Sequence, residues 1–333
     1  MFTDYTKDIL RSLLAIVLGI TISKYTSYSF SFEIPIIALS TVTTMKVFNF
    51  KNFIKQNCWL VIATAFGLLA SEIFKEKFIL FFIFTFSIFF SCFYYIYLNP
   101  KISSNIILGY SFTTIYSTYN NLNIETMVYD VFIVTTLGGI LGFFILLFLP
   151  NSKEEKIKAI DLDKKTPNIN LYLVVLISIL VSITWFLYIL FDIKDAFFAF
   201  ATLAIMYGNL DLKKIQAMTP LIIKTHILGC FIAILYSFLV IGLSKSIFFF
   251  TLSLSLIFFP MLYLKYYGET NIHKTIGNGL IAATILPVCL YLNPKSDIAG
   301  KAGTRALQIT FVLLASSILI KFLISLGGNK YEK

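Results

Sequence analysis

The chain has 333 residues, of which 58% are hydrophobic, 17% aromatic and only 13% charged, with a net charge of +10; its mean hydropathy is +0.85. A soluble domain carries roughly 25% charged residues, so a water-facing globule of this length would lack the charge to cover its apolar surface. The charges concentrate between long apolar runs, as bilayer-spanning helices require. The lysines form no basic stripe with interleaved aromatics, which excludes nucleic acid as a partner and leaves an all-α polytopic membrane protein.

A helix needs about 20 residues to cross the hydrocarbon core. The first apolar run, 9–29, lacks a convincing small-residue cleavage site and continues past the length of a signal-peptide core, so it is expected to be the first span. Runs at 33–49, 56–73, 77–98, 103–119 and 128–149 follow, and then the polar segment NSKEEKIKAIDLDKKTPN at 151–168. Six more runs come after it: 170–191, 195–208, 216–243, 246–264, 275–292 and 304–326. About twelve transmembrane helices are therefore expected. For the short runs at 33–49, 103–119 and 195–208, a re-entrant or partly buried element is the alternative.

The two sets of six resemble each other. IPIIALSTVTTMKVFNFKNFIK in the first matches AFFAFATLAIMYGNLDLKKIQ in the second, which pairs Asn49 with Asn209. The loops YLNPKISSNIILGY and GETNIHKTIGNGL sit at matching places, with Asn105 near Asn278. The alternative is likeness by composition alone. A duplication divides the chain into a first six-helix repeat at 1–150, a cytoplasmic linker at 151–169, and a second repeat at 170–333 that ends in a short cytoplasmic tail. An even number of helices per repeat makes the repeats parallel. With the N-terminus inside, cytoplasmic segments hold 17 of the 27 Lys and Arg and external segments hold eight. That bias places both termini in the cytoplasm.

The search for catalytic chemistry finds no HExxH, GxSxG, Walker lysine loop or aspartate-rich diphosphate motif. Cys58, Cys92, Cys230 and Cys289 form no CxxC pair. No enzyme activity, catalytic residue, metal or cofactor is therefore expected. What remains is a thin set of ionisable residues at membrane depth, where each is costly and so a functional candidate. Lys224 and His226 lie two apart on the ninth run and point to different faces. Lys224 reads as a substrate contact or a snorkelling lysine, and His226 as a proton-coupling site or an interhelical hydrogen-bond partner. Lys321 lies near a span end, where snorkelling is expected. Arg305, one of two arginines, opens the last run as Asp130 opens the sixth. An arginine there offers a planar fork to a carboxylate, either Asp130 or that of an anionic substrate; lipid headgroups are the other candidate. Asp130 is itself a second proton-coupling candidate. Gly138, Gly139 and Gly142 suit close helix packing.

RSLLAIVLGITIS after a short polar N-terminus, the Pro-containing EIPIIALSTVTT, the six-helix duplication and GTRALQI before the last span together resemble the fusaric acid resistance and aromatic acid exporter superfamily of bacterial inner-membrane proteins. The likeness is to its short branch and covers nearly the whole chain. It implies efflux of aromatic carboxylic acids or related amphiphiles from the inner membrane, beside a periplasmic adaptor subunit. Longer members carry substantial cytoplasmic domains, whereas this chain has only its linker and tail. The resulting expectation is an ion-gradient-driven exporter of a small organic anion, surrounded by membrane lipids and open to homo-oligomerisation. A non-transporting scaffold or assembly subunit of envelope machinery is the alternative.

Overall fold

The computed structural model describes residues 4–26, 28, 30–44, 50–74, 76–98, 105–117, 124–150, 171–190, 197–208, 212–240, 246–291 and 298–327. Among these residues there is no strand, and twelve α-helices follow one another: α1 (Asp4–Tyr25), α2 (Glu33–Thr44), α3 (Phe50–Phe74), α4 (Phe78–Leu98), α5 (Asn105–Ser117), α6 (Ile124–Phe148), α7 (Leu171–Leu190), α8 (Phe197–Tyr207), α9 (Leu212–Val240), α10 (Ile247–Tyr267), α11 (Asn271–Tyr291) and α12 (Ile298–Gly327). Asn49, Asn209 and the 151–169 linker lie outside the described residues.

Each apolar run is matched by a helix, but length and charge separate the helices into classes. Among the described residues, α4, α6, α7, α9, α10 and α12 are long and apolar enough to cross a bilayer. The 22-residue α1 has the length, but its five charged residues keep it out of that group. Helices α2, α5 and α8 have 12, 13 and 11 residues. At 1.5 Å per residue these reach about 17–20 Å, against about 30 Å of hydrocarbon. They are the three short runs for which a re-entrant or partly buried element stood as the alternative.

The surface is that of a chain solvated by lipid. Phe148, Phe311 and Leu307 are 81%, 74% and 73% exposed, while many hydroxyls lie inside. Those hydroxyls mostly return to their own helix: Thr64 Oγ1 donates to the Leu60 carbonyl at 2.8 Å, Ser111 to Ile107 at 2.6 Å and Ser178 to Val174 at 2.7 Å. A group with no water to turn to must be satisfied locally. Helix ends use the same economy. Thr270 Oγ1 accepts the His273 N–H at 3.2 Å and starts α11. The Gly268 N–H closes on the Leu264 carbonyl after α10.

The chain forms two compact units, each drawing on both halves. Unit 1 comprises 1–54, 129–164 and 224–306; unit 2 comprises 55–128, 165–223 and 307–333. In unit 1, α1 packs on α2, α10 and α11, and α10 packs on α11. One face of α1 (Ile9, Ile16, Val17, Ile20) shares a core with Tyr236 of α9, Phe250, Leu254 and Phe258 of α10, and Ile281 and Ile285 of α11. Its Ala15 joins Ala38 and Val42 of α2 and Ile145 and Leu146 of α6 in a second, smaller core.

In unit 2, α7 packs on α4, α5 and α8, α5 packs on α4 and α8, and the core is aromatic. Trp185 of α7 lies edge-on to Phe81 at 5.0 Å and to Phe89 at 6.4 Å. Its indole N–H donates to Thr114 Oγ1 of α5 at 2.9 Å. Tyr110 of α5 shares a 2.9 Å hydrogen bond with Thr85 of α4.

Small residues set the closest approaches, as expected where lipid removes the hydrophobic drive between helices. A Cβ on Gly229 would stand 2.5 Å from the Ala283 Cβ of α11, whereas one on Gly303 would meet nothing within 4 Å. Gly229→Ala is therefore expected to cost about 1–3 kcal/mol through overpacking and Gly303→Ala to be neutral. Thermal unfolding of the two purified variants in detergent checks the contrast.

Candidate functional site

Three basic side chains are buried among the described residues, Arg11, His226 and Arg305, and all three belong to unit 1. The buried polar side chains of unit 2, such as Thr64, Thr85, Ser111, Thr114, Ser178 and Ser316, are hydroxyls.

Arg305 sits in the second turn of α12, after the small residues of IAGKAGT, and is 2% exposed. Arg305 and Cys230 of α9 belong to the same unit. His226, 8% exposed, precedes Cys230 by four residues and shares its face. Two glycine contacts clamp this stretch of α9 to α11: Gly229 against Ala283, and Gly279, whose added Cβ would lie 2.8 Å from Thr225 Oγ1. The clamp fixes which side of α9 turns toward α11.

Lys224 is exposed and stands two residues before His226, about 200° around the helix. The sequence-based reading of opposite faces therefore matches the burial of the two side chains. Asp130 is half-buried on α6, in the same unit. All four residues singled out from sequence thus fall in unit 1. Arg305 and His226 are both buried, and Lys224 is exposed. Lys321 is exposed on α12.

Arg11 was not singled out as a functional candidate, although its rarity was the available signal: it is the only other arginine in a lysine-rich chain. Its Nε donates to the Leu149 carbonyl and its Nη2 to the Pro150 carbonyl, both at 2.7 Å, while Nη1 meets Asp8 Oδ1 at 2.6 Å. These carbonyls end α6, where the helix leaves acceptors without intrahelical donors and its dipole favours a cation. Beside it, Ser12 Oγ and Tyr266 OH share a 2.8 Å bond, which ties α1 to α10. Arg11 is 2% exposed and fully engaged in holding α1 to the end of α6. Its role is structural, and it explains why this position is Arg rather than Lys: an ammonium cannot serve two successive carbonyls and a carboxylate as a planar fork does.

Glu33 also escaped sequence reading. It opens α2, where an acid suits the helix N-terminus, and its Oε2 is buried without a hydrogen-bond partner among the described residues. No group of His, Cys, Asp and Glu among the described residues is arranged to hold a metal ion.

No family model, curated protein or solved structure matches this chain.

Arg11→Lys is expected to destabilise the protein nearly as much as Arg11→Ala, by about 2–3 kcal/mol, the value of charge-assisted bonds that cannot re-form. Melting curves of both variants beside wild type decide it.

Proposed function

We propose that this chain is an inner-membrane exporter of small organic anions, with aromatic carboxylates as the substrate class. In this reading it is driven by an ion gradient, most simply protons, and built from two parallel six-helix repeats with both termini in the cytoplasm. The observation that carries the proposal is the burial of Arg305 in the same unit as buried His226. A cation at membrane depth is costly and is retained where it binds or moves something. A guanidinium offers a carboxylate a planar fork, and Arg305 is assigned that part.

Each residue then has a distinct part. Exposed Lys224 draws the anion toward the cytoplasmic side of α9. Arg305 takes the carboxylate by its fork. His226, one turn from Cys230, gains and loses the coupling proton, with Asp130 as the second proton carrier. Aromatic side chains hold the organic body, since charge alone would accept any anion. The resemblance to the aromatic acid exporters supports the substrate class and brings with it a periplasmic adaptor as partner. No catalytic step or cofactor enters this scheme.

Proteoliposomes loaded with labelled benzoate or a larger aromatic acid test it. Wild type is expected to move the label faster under a pH gradient. Arg305→Ala should lower the flux about tenfold or more, the loss of one charge-assisted hydrogen bond of roughly 1.5–3 kcal/mol, and Arg305→Lys should keep part of it. His226→Gln should keep basal flux but lose the response to the gradient. Absence of flux from correctly inserted wild type across a panel of aromatic acids would favour the scaffold reading instead.

A further inference from the structure

The helix pairings repeat when every helix is exchanged for the one six places along. The packing of α1 on α2 becomes α7 on α8, α1 on α10 becomes α7 on α4, and α1 on α11 becomes α7 on α5. Likewise α10 on α11 becomes α4 on α5, and α2 on α11 becomes α8 on α5. The same exchange converts the segments of unit 1 into those of unit 2: the boundary inside α6 falls after Val128 and that inside α12 after Ala306.

The correspondence holds at single residues. On α4 four of the buried positions, Phe81, Thr85, Phe89 and Phe93, match buried Phe250, Leu254, Phe258 and Leu262 of α10, each 169 residues later, while buried Ile96 and Met261 have no buried counterpart. On α5 and α11, Tyr110, Ser111, Thr113, Thr114 and Ile115 match Leu280, Ile281, Ala283, Thr284 and Ile285, all buried. Gly67 of α3 presses on Tyr110 and Thr113 of α5, as Gly229 of α9 presses on Ala283 and Thr284 of α11. Gly109 of α5 meets Thr64 of α3 and Gly279 of α11 meets Thr225 of α9, the same pair of helices in each half, with the partner threonines one residue out of register.

We propose that the two six-helix halves are each other's obligate folding partners, interlocked so that neither half completes a core alone. The recognition surface has two matched parts. The α1 face (Ile9, Ile16, Ile20) of the first half is sealed by α10 and α11 of the second, and the α7 face around Trp185 of the second half is sealed by α4 and α5 of the first.

The partner is the other half rather than a second copy of the same half, because the two surfaces have diverged. Near the end of α7, Trp185 fills the space beside Phe81 and bonds Thr114. Near the end of α1, Lys24 lies 4.0 Å over the ring of Phe250, the counterpart of Phe81. In the register of buried positions, Arg305 corresponds to Met127 and Asp130 to Gln308, so the matched-charge pairing suggested by the sequence shifts by one turn. His226 corresponds to Thr64 and Cys230 to Leu68, so neither Arg305 nor His226 has an ionisable counterpart in the first half.

The test uses the full-length protein with a protease recognition sequence inserted between residues 151 and 170, purified and then cleaved. The fragments are expected to co-elute in mild detergent and to unfold in a single transition at the temperature of the uncut chain. Separation of the fragments, each keeping its helical signal and its own transition, would overturn the proposal. In the cleaved protein, Trp185→Phe should lower the temperature at which the fragments part, and Trp185→Ala should lower it further. Lipid-facing Phe248→Ala, whose residue is 68% exposed, should leave it unchanged. Equal effects from Trp185 and Phe248 would remove the surface assigned here. None of these readouts depends on transport.

Discussion

The burial of α1 on two faces at once is the constraint on which unit 1 depends. Its Ala15 side fits α2 and α6 of its own half, while its Ile9–Ile16–Ile20 side is covered by helices more than 200 residues away in sequence. A helix with two apolar faces and a polar first turn cannot be closed by its neighbours in sequence alone. Polar bonds fix the arrangement near one end of α1, where Arg11 holds the end of α6 and Ser12 meets Tyr266. Toward the other end, Lys24 lies over Phe250. Unit 2 meets the same demand with rings in place of charges: Trp185, Phe81, Phe89, Tyr110 and Phe200 form its centre.

This difference in chemistry between like scaffolds bears on function. Where lipid surrounds the chain, buried hydroxyls cost little because their own helix backbone accepts them, and unit 2 uses little else. A buried guanidinium has no such local refuge. Unit 1 holds two, Arg11 bound to carbonyls at the end of α6 and Arg305 on α12. Unit 1 thus buries ionisable groups where unit 2 buries hydroxyls and rings.

The helices themselves were legible because loop charges punctuate the apolar runs. The run at 170–191 is α7 at Leu171–Leu190, and the run at 77–98 is α4 at Phe78–Leu98. The three shortest runs gave the three shortest helices among the described residues, α2, α5 and α8. The neighbours of each helix were not legible. Lipid-facing and protein-facing sides of α4 are both built from Phe and Ile, so no polarity pattern marks the Phe81–Phe93 stripe as the buried one. Arg11 showed its scarcity in the sequence, but its partners, the Leu149 and Pro150 carbonyls, are backbone atoms that no side-chain pattern announces.

The central claim is that each half supplies helices to both units, and proximity in the native membrane tests it most directly. In a cysteine-free chain, one pair of cysteines replaces Thr6 and Tyr267, whose side-chain oxygens lie 3.2 Å apart between α1 and α10. A second pair replaces Phe78 and Phe186, whose rings lie 4.8 Å apart between α4 and α7. Treating membranes with a short bifunctional thiol reagent should join each pair within a single chain, so that later cleavage of the linker leaves the fragments covalently connected. If both pairs stay unjoined, or join only between chains, the two halves are not interleaved and the account fails.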